Sequence, residues 1–176
     1  MASLPFLAVR GMNVFADSLN VGITNTGVKL PLPAETGESF TPGGARGAIE
    51  IMTSTEPCEL AFSTKGIQPE LLQLFAQGFG LRRPYTVLGA LVDEYAESST
   101  KRAVQLQATL VGRLSADIEK YEGGGLPGTE YTIKSVTKYT LQIGGIEVAR
   151  YDLRLGGWLD TGGLQAEIAS LIGLNV

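Results

Sequence analysis

Polar and apolar side chains alternate one by one through long parts of this chain, the spacing of strands with one buried face. In "AVQLQATLVGRL", Val104, Leu106, Ala108, Leu110 and Leu114 share one face, while Gln105, Gln107, Thr109 and Arg113 share the other. "EYTIKSVTKYTLQI" repeats the pattern: Tyr131, Ile133, Tyr139, Leu141 and Ile143 oppose Thr132, Lys134, Lys138, Thr140 and Gln142. Gly144-Gly145 then supplies a pair able to take the positive φ angles of a two-residue hairpin before "IEVARYDL". Shorter strands are predicted in "MNVFADSLNVGI", around a turn at Asp17 to Asn20, and in "GITNTGVKLPL", which ends at Pro31 and Pro33. "AIEIMTS" and "CELAFST" alternate as well, with Leu60 and Phe62 pointing one way.

One segment departs from this period. In "GIQPELLQLFAQGFG", Pro69 suits a first helical turn, Glu70 its positive end, and Gly78 its stop. Ile67, Leu71, Leu74 and Phe75 form a single stripe, predicting a helix packed on a sheet. Leu164, Ile168, Leu171 and Ile172 predict a second, short helix at the carboxyl end. The class is therefore mainly β with a minor helical part, a sandwich or barrel with one helix flanking the sheet and long loops. One domain is expected over residues 1–176, with a long loop at 31–47 and a flexible loop at 115–129.

The two longest strands extend on the order of 40 Å each, against a radius of gyration of roughly 16 Å for such a domain. Their edges are long enough to recruit another chain; a closed sandwich within one chain explains them equally well.

Composition narrows the chemistry. The chain of 176 residues carries 18 acidic and 14 basic side chains, a formal net charge of −4, and no histidine. A duplex-binding module, which needs excess Lys and Arg, is disfavoured. Histidine-based triads, metal sites and pH switches are excluded. The single Cys58 can form no intrachain disulfide and reads as a small buried hydrophobe. No basic start followed by an apolar run marks a secretory signal, and no stretch approaches the roughly 18 apolar residues of a membrane span.

Two glycine-rich stretches invite a phosphate-binding reading. "GGGLPG", residues 123–128, matches G-x-G-x-x-G but leads into a strand, whereas the dinucleotide motif needs a following helix. "ETGESFTPGGARGAIEI", residues 35–51, lacks Gly-Lys-Ser/Thr and also enters a strand. Glu35, Glu38, Phe40, Gly43, Gly44 and Arg46 in that loop suit contact with another copy of the protein instead, a solvated loop being the plain alternative. Asp93-Glu94 and the Glu119, Glu122 pair show no acid–base spacing, so no catalytic residues, metal or cofactor are expected.

"MNVFADSLNVGI", "VKLPLPAETGESFTPGGARGAIEI", "CELAFSTKGIQPELLQLFA" and "YTLQIGGIEVARYD" together resemble, in order and spacing, the major tail tube proteins of contractile-tailed bacteriophages, and the similar tubes of R-type bacteriocins. The likeness spans about Gly11 to Leu174. It implies a non-enzymatic virion protein whose copies form stacked hexameric rings around a ring-wide β-barrel. It implies a sheath outside, a tape measure protein and then DNA passing through the lumen without specific binding, and baseplate and tail terminator proteins at the ends. There would be no membrane anchor, and assembly would occur in the cytoplasm of the host bacterium. The loop at 31–47 would touch a neighbouring subunit or ring. The polar strand face, with Gln105, Gln107, Thr109, Thr132, Thr140 and Gln142, would line the lumen. A net charge of −4 on six copies, roughly −24 per ring, suits a channel that does not grip DNA. Alternatives are a tube of a DNA-free contractile particle or secretion machine and, from another class, a monomeric β-barrel with an apolar ligand pocket.

Overall fold

The computed structural model describes residues 6–43, 47–78, 80–95, 103–119, 125–159, 163, 167 and 170–173. Its strands are β1 (Leu7–Ala16), β2 (Leu19–Asn20), β3 (Asn25–Lys29), β4 (Glu35–Phe40), β5 (Ile49–Thr55) and β6 (Leu60–Lys65). After helix α1 (Pro69–Gln77) come β7 (Arg83–Asp93), β8 (Ala103–Ile118), β9 (Gly128–Ile143), β10 (Ile146–Asp152) and β11 (Gly157–Leu159). The fold is mainly β, antiparallel throughout, with α1 lying against β8.

The principal sheet runs β11-β10-β9-β8-β7-β1-β2. β6 adds to the first half of β9, pairing Leu60 with Ile133, and β3 adds to β6. The sheet then rolls back on itself. Val21 N–H donates to the Val14 carbonyl at 2.8 Å, and Asn25 Nδ2 donates to the Met12 carbonyl at 3.4 Å. Burial follows the alternation of the sequence: Leu106, Ala108, Leu110, Tyr131, Ile133, Tyr139 and Leu141 all enter one core. Phe62 stacks on Tyr131 at 5.0 Å between centroids, and Trp158 meets Tyr139 edge-on at 5.8 Å. Gly144 and Gly145 have φ of 61° and 82°, as the β9–β10 hairpin requires.

β9 bends where Gly112 alone spans Ser135, Val136 and Thr137. Val111 pairs with Lys138 on one side of this point, and Arg113 pairs with Lys134 on the other. Ser135 takes φ 51°, a left-handed conformation uncommon outside glycine. A Cβ on Gly112 would lie 2.6 Å from Ile133 Cγ2, so the bend has no room for a side chain there. Two extra residues keep the inward and outward alternation in step on both sides.

Three expectations change. The long strands do not present free edges over most of their length. β7 and β9 flank β8, while β8 flanks β9 on one side and β6 and β10 share its other. The 31–47 span is not all loop, because Glu35–Phe40 within it forms a strand paired with Ile49–Thr55. The connector expected over 115–129 is shorter, since β8 pairs with β9 out to Ile118–Thr129. Of the stripe predicted at the carboxyl end, Leu164 and Ile168 lie outside the described residues, and Leu171 and Ile172 are exposed.

Candidate assembly surface

Two of the sheet's longer strands, β1 and β10, are incompletely paired on their outer sides. β1 is bonded along its length to β7, but β2 covers only Phe15 and Ala16 on its other side. β10 is bonded to β9, while β11 covers only Arg150 to Asp152. Among the described residues, the first halves of both strands have no further strand beside them. Val9 is 57% exposed, Ile146 72% and Val148 53%. Exposed β-branched residues on an open edge favour pairing with another chain. Neither segment carries the lysine or proline that commonly blocks it, and each holds one β-bulge, at Arg10 and at Val148. Arg10, the one cation of the β1 segment, is bound to Glu94.

Between these edges the outward face is polar on β8, β9 and β10, whereas β7 contributes the apolar Leu88 and Ala90 to it. Gln107 stands directly opposite Gln142, and Thr109 opposite Thr140. Together with Lys138, Glu147 and Arg150 they surround a depression of about 490 Å³. Gln105 continues the β8 row and pairs with Ala90 of β7. Thr132 stands apart. It lies beyond the bend, opposite Ser115, where β9 is paired with β6, roughly 25 Å along the strand from Thr140. Five of the six polar positions expected to share a surface are therefore contiguous, and the sixth belongs to another sector of the rolled sheet. The charges on the contiguous part are mixed, with Lys138 Nζ 3.8 Å from Asp152 Oδ2.

The β4–β5 hairpin forms its own two-stranded sheet outside the main one. Its register places Glu38 opposite Ile51 and Phe40 opposite Ile49, so these four share a face. Phe40, Ile49 and Ile51 are each more than half exposed. Glu35 and Gly43 belong to the same arm and are exposed, whereas Gly44 and Arg46 lie outside the described residues. An isolated two-stranded hairpin is marginal in water. Its apolar face is an exposed patch of this chain.

Among the described residues no constellation suited to catalysis emerges. Among the described residues no group of three or more His, Cys, Asp or Glu could hold a metal ion, and no helix is long and apolar enough to cross a membrane. Cys58 is buried, and burial followed by the nearby Glu59 charge pushes its thiol up to about 12, making it a poor nucleophile. Burial likewise raises the Tyr85 phenol to about 12. Sequence reasoning had no signal for Trp158 or for the open edges. Both depend on which strands become neighbours.

Comparison with curated proteins finds no match. A family model described as phage tail tube protein FII matches residues 8–155, from β1 through β10. A match over most of the chain, on a mainly β fold, settles the family: this chain belongs to the phage tail tube proteins and is a structural virion component, not an enzyme.

Proposed function

We propose that six copies join edge to edge into a ring, and that rings stack into the inner tube of a contractile tail. The observation that carries this reading is the pair of open edges at opposite ends of the sheet formed by β1, β7, β8, β9 and β10. A head-to-tail contact that joins one patch to a different patch closes into a ring when its rotation closes. Because β1 and β10 run in the same sense, the junction between copies is a parallel pair. Closing the sheet removes both edges at once.

The core side of that sheet is occupied by Tyr139, Trp158 and their neighbours, so the polar side carrying Gln107, Thr109, Thr140 and Gln142 faces the lumen. Neutral amides and hydroxyls with paired or mixed charges give DNA no basic ring to hold it. The tube conducts DNA after a tape measure protein leaves, with the sheath outside and baseplate and terminator proteins at the ends. Assembly takes place in the host cytoplasm. Sedimentation and negative-stain microscopy of the concentrated protein test this: hollow tubes of six-fold rings are expected, and a discrete monomer at every concentration would overturn it.

A further inference from the structure

The arm's apolar face needs a receptor, and the opposite charge is concentrated at one place on the same chain. Arg82, Lys138 and Arg154, with Thr137, Asp152 and Leu153, line a depression of about 500 Å³. The single carboxylate there is already engaged. Asp152 Oδ1 accepts the Arg154 backbone N–H at 2.9 Å, and Oδ2 lies 3.8 Å from Lys138 Nζ. Arg82 donates through Nε to the Ser135 carbonyl at 3.1 Å. Among the described residues no carboxylate lies within ion-pair distance of Arg82 or Arg154. Leu153 and Leu81 are exposed beside these cations, Leu81 next to Arg82 in sequence.

The hairpin has the matching composition. Residues 35–56 hold four glutamates, Glu35, Glu38, Glu50 and Glu56, against one arginine, Arg46. Only Glu38 shares the face of Phe40, Ile49 and Ile51. A carboxylate embedded in an apolar strand face fits a cation cluster flanked by exposed leucines. Covering both would shield the ion pair from water and salt.

We infer that Glu38 of one copy's β4–β5 arm docks in the Arg82, Lys138, Arg154 depression of a second copy, with Phe40 and Ile49 on Leu153. The inference rests on the tube reading and specifies which contact holds the copies together beyond the sheet edges. Arginine suits the role because its planar fork binds a carboxylate through two N–H groups.

Charge reversal tests it. Glu38→Arg and Arg154→Glu, each alone, should reduce the pelleted tube fraction to background, and the double variant should recover it. As a second measurement, Glu38→Cys combined with Arg154→Cys should give a disulfide-linked ladder of multimers from oxidised tubes, since Cys58 is buried and stays out of the reaction. If both single reversals assemble as well as the unaltered chain, or the cysteine pair leaves only monomers on the gel, the docking is wrong while the tube stands. If the unaltered chain forms no tubes, both readings fall.

Discussion

Arg113 of β8 and Lys134 of β9 stand directly opposite each other, two like charges on one exposed face. Four residues along the ribbon, Asp117 faces Glu130 in the same way. Directly opposed like charges destabilise a strand pair by a few tenths of a kcal/mol or more. Lys134→Glu converts the first pair into an attractive one and should stabilise the isolated subunit by about 0.2–1 kcal/mol. Urea unfolding of the unassembled protein checks this. The substitution lies beyond the bend from the contiguous polar rows, so DNA passage should be unchanged; a large loss of ejection would mean this sector meets the lumen.

How much of this could be read from the chain follows one rule: local periodicity carries, pairing does not. Leu106, Ala108 and Leu110, like Tyr139 and Leu141, are buried as their alternation requires, and α1 begins at Pro69 and buries Leu71. The bend at Ser135 to Thr137 left no trace, because its two extra residues preserve the alternation and only the partner strand reveals them. Glu35–Phe40 read as loop because its glycine and exposed residues show no buried face, whereas the alternation of the following strand was legible. The edges could not be located at all. Val9 and Val148 look like ordinary strand residues until β7 and β9 have taken one side of each strand.

The open edge of β10 can be tested without touching the core. Val148→Lys places a charge on a 53% exposed residue, a device by which natural edges resist pairing. The variant should fold with stability within about 0.5 kcal/mol of the unaltered protein. Sedimentation velocity should nevertheless find it as monomers where the unaltered protein forms tubes.

Gly112 is held by space. A Cβ there would lie 2.6 Å from Ile133 Cγ2 and 3.0 Å from the Lys134 carbonyl oxygen. Gly112→Ala should therefore cost about 1–3 kcal/mol, the usual penalty for overpacking. Chemical denaturation measures it directly; an unchanged midpoint would show that the bend relaxes freely.

Alkaline pH should weaken the subunit. Cys58 rises from 9.0 to about 12 and Tyr85 from 10.0 to about 12, in both cases chiefly through burial. Each group keeps its proton more tightly in the folded state than in the unfolded one. The stability it contributes is complete below its unfolded value and is lost as pH rises through the folded value. Unfolding free energy should thus fall between about pH 9 and pH 12. Cys58→Ala should flatten the first part of that decline, and thiol reagents should modify the folded chain far more slowly than the denatured one.

The decisive measurement is an electron cryo-microscopy map of particles assembled from the purified chain. It should show six subunits per ring, with the first half of β10 hydrogen-bonded to the first half of β1 on the next subunit and Gln107 and Gln142 facing the channel. Tubes in which those two edges remain unpaired, or particles that never progress beyond single subunits, would contradict the account.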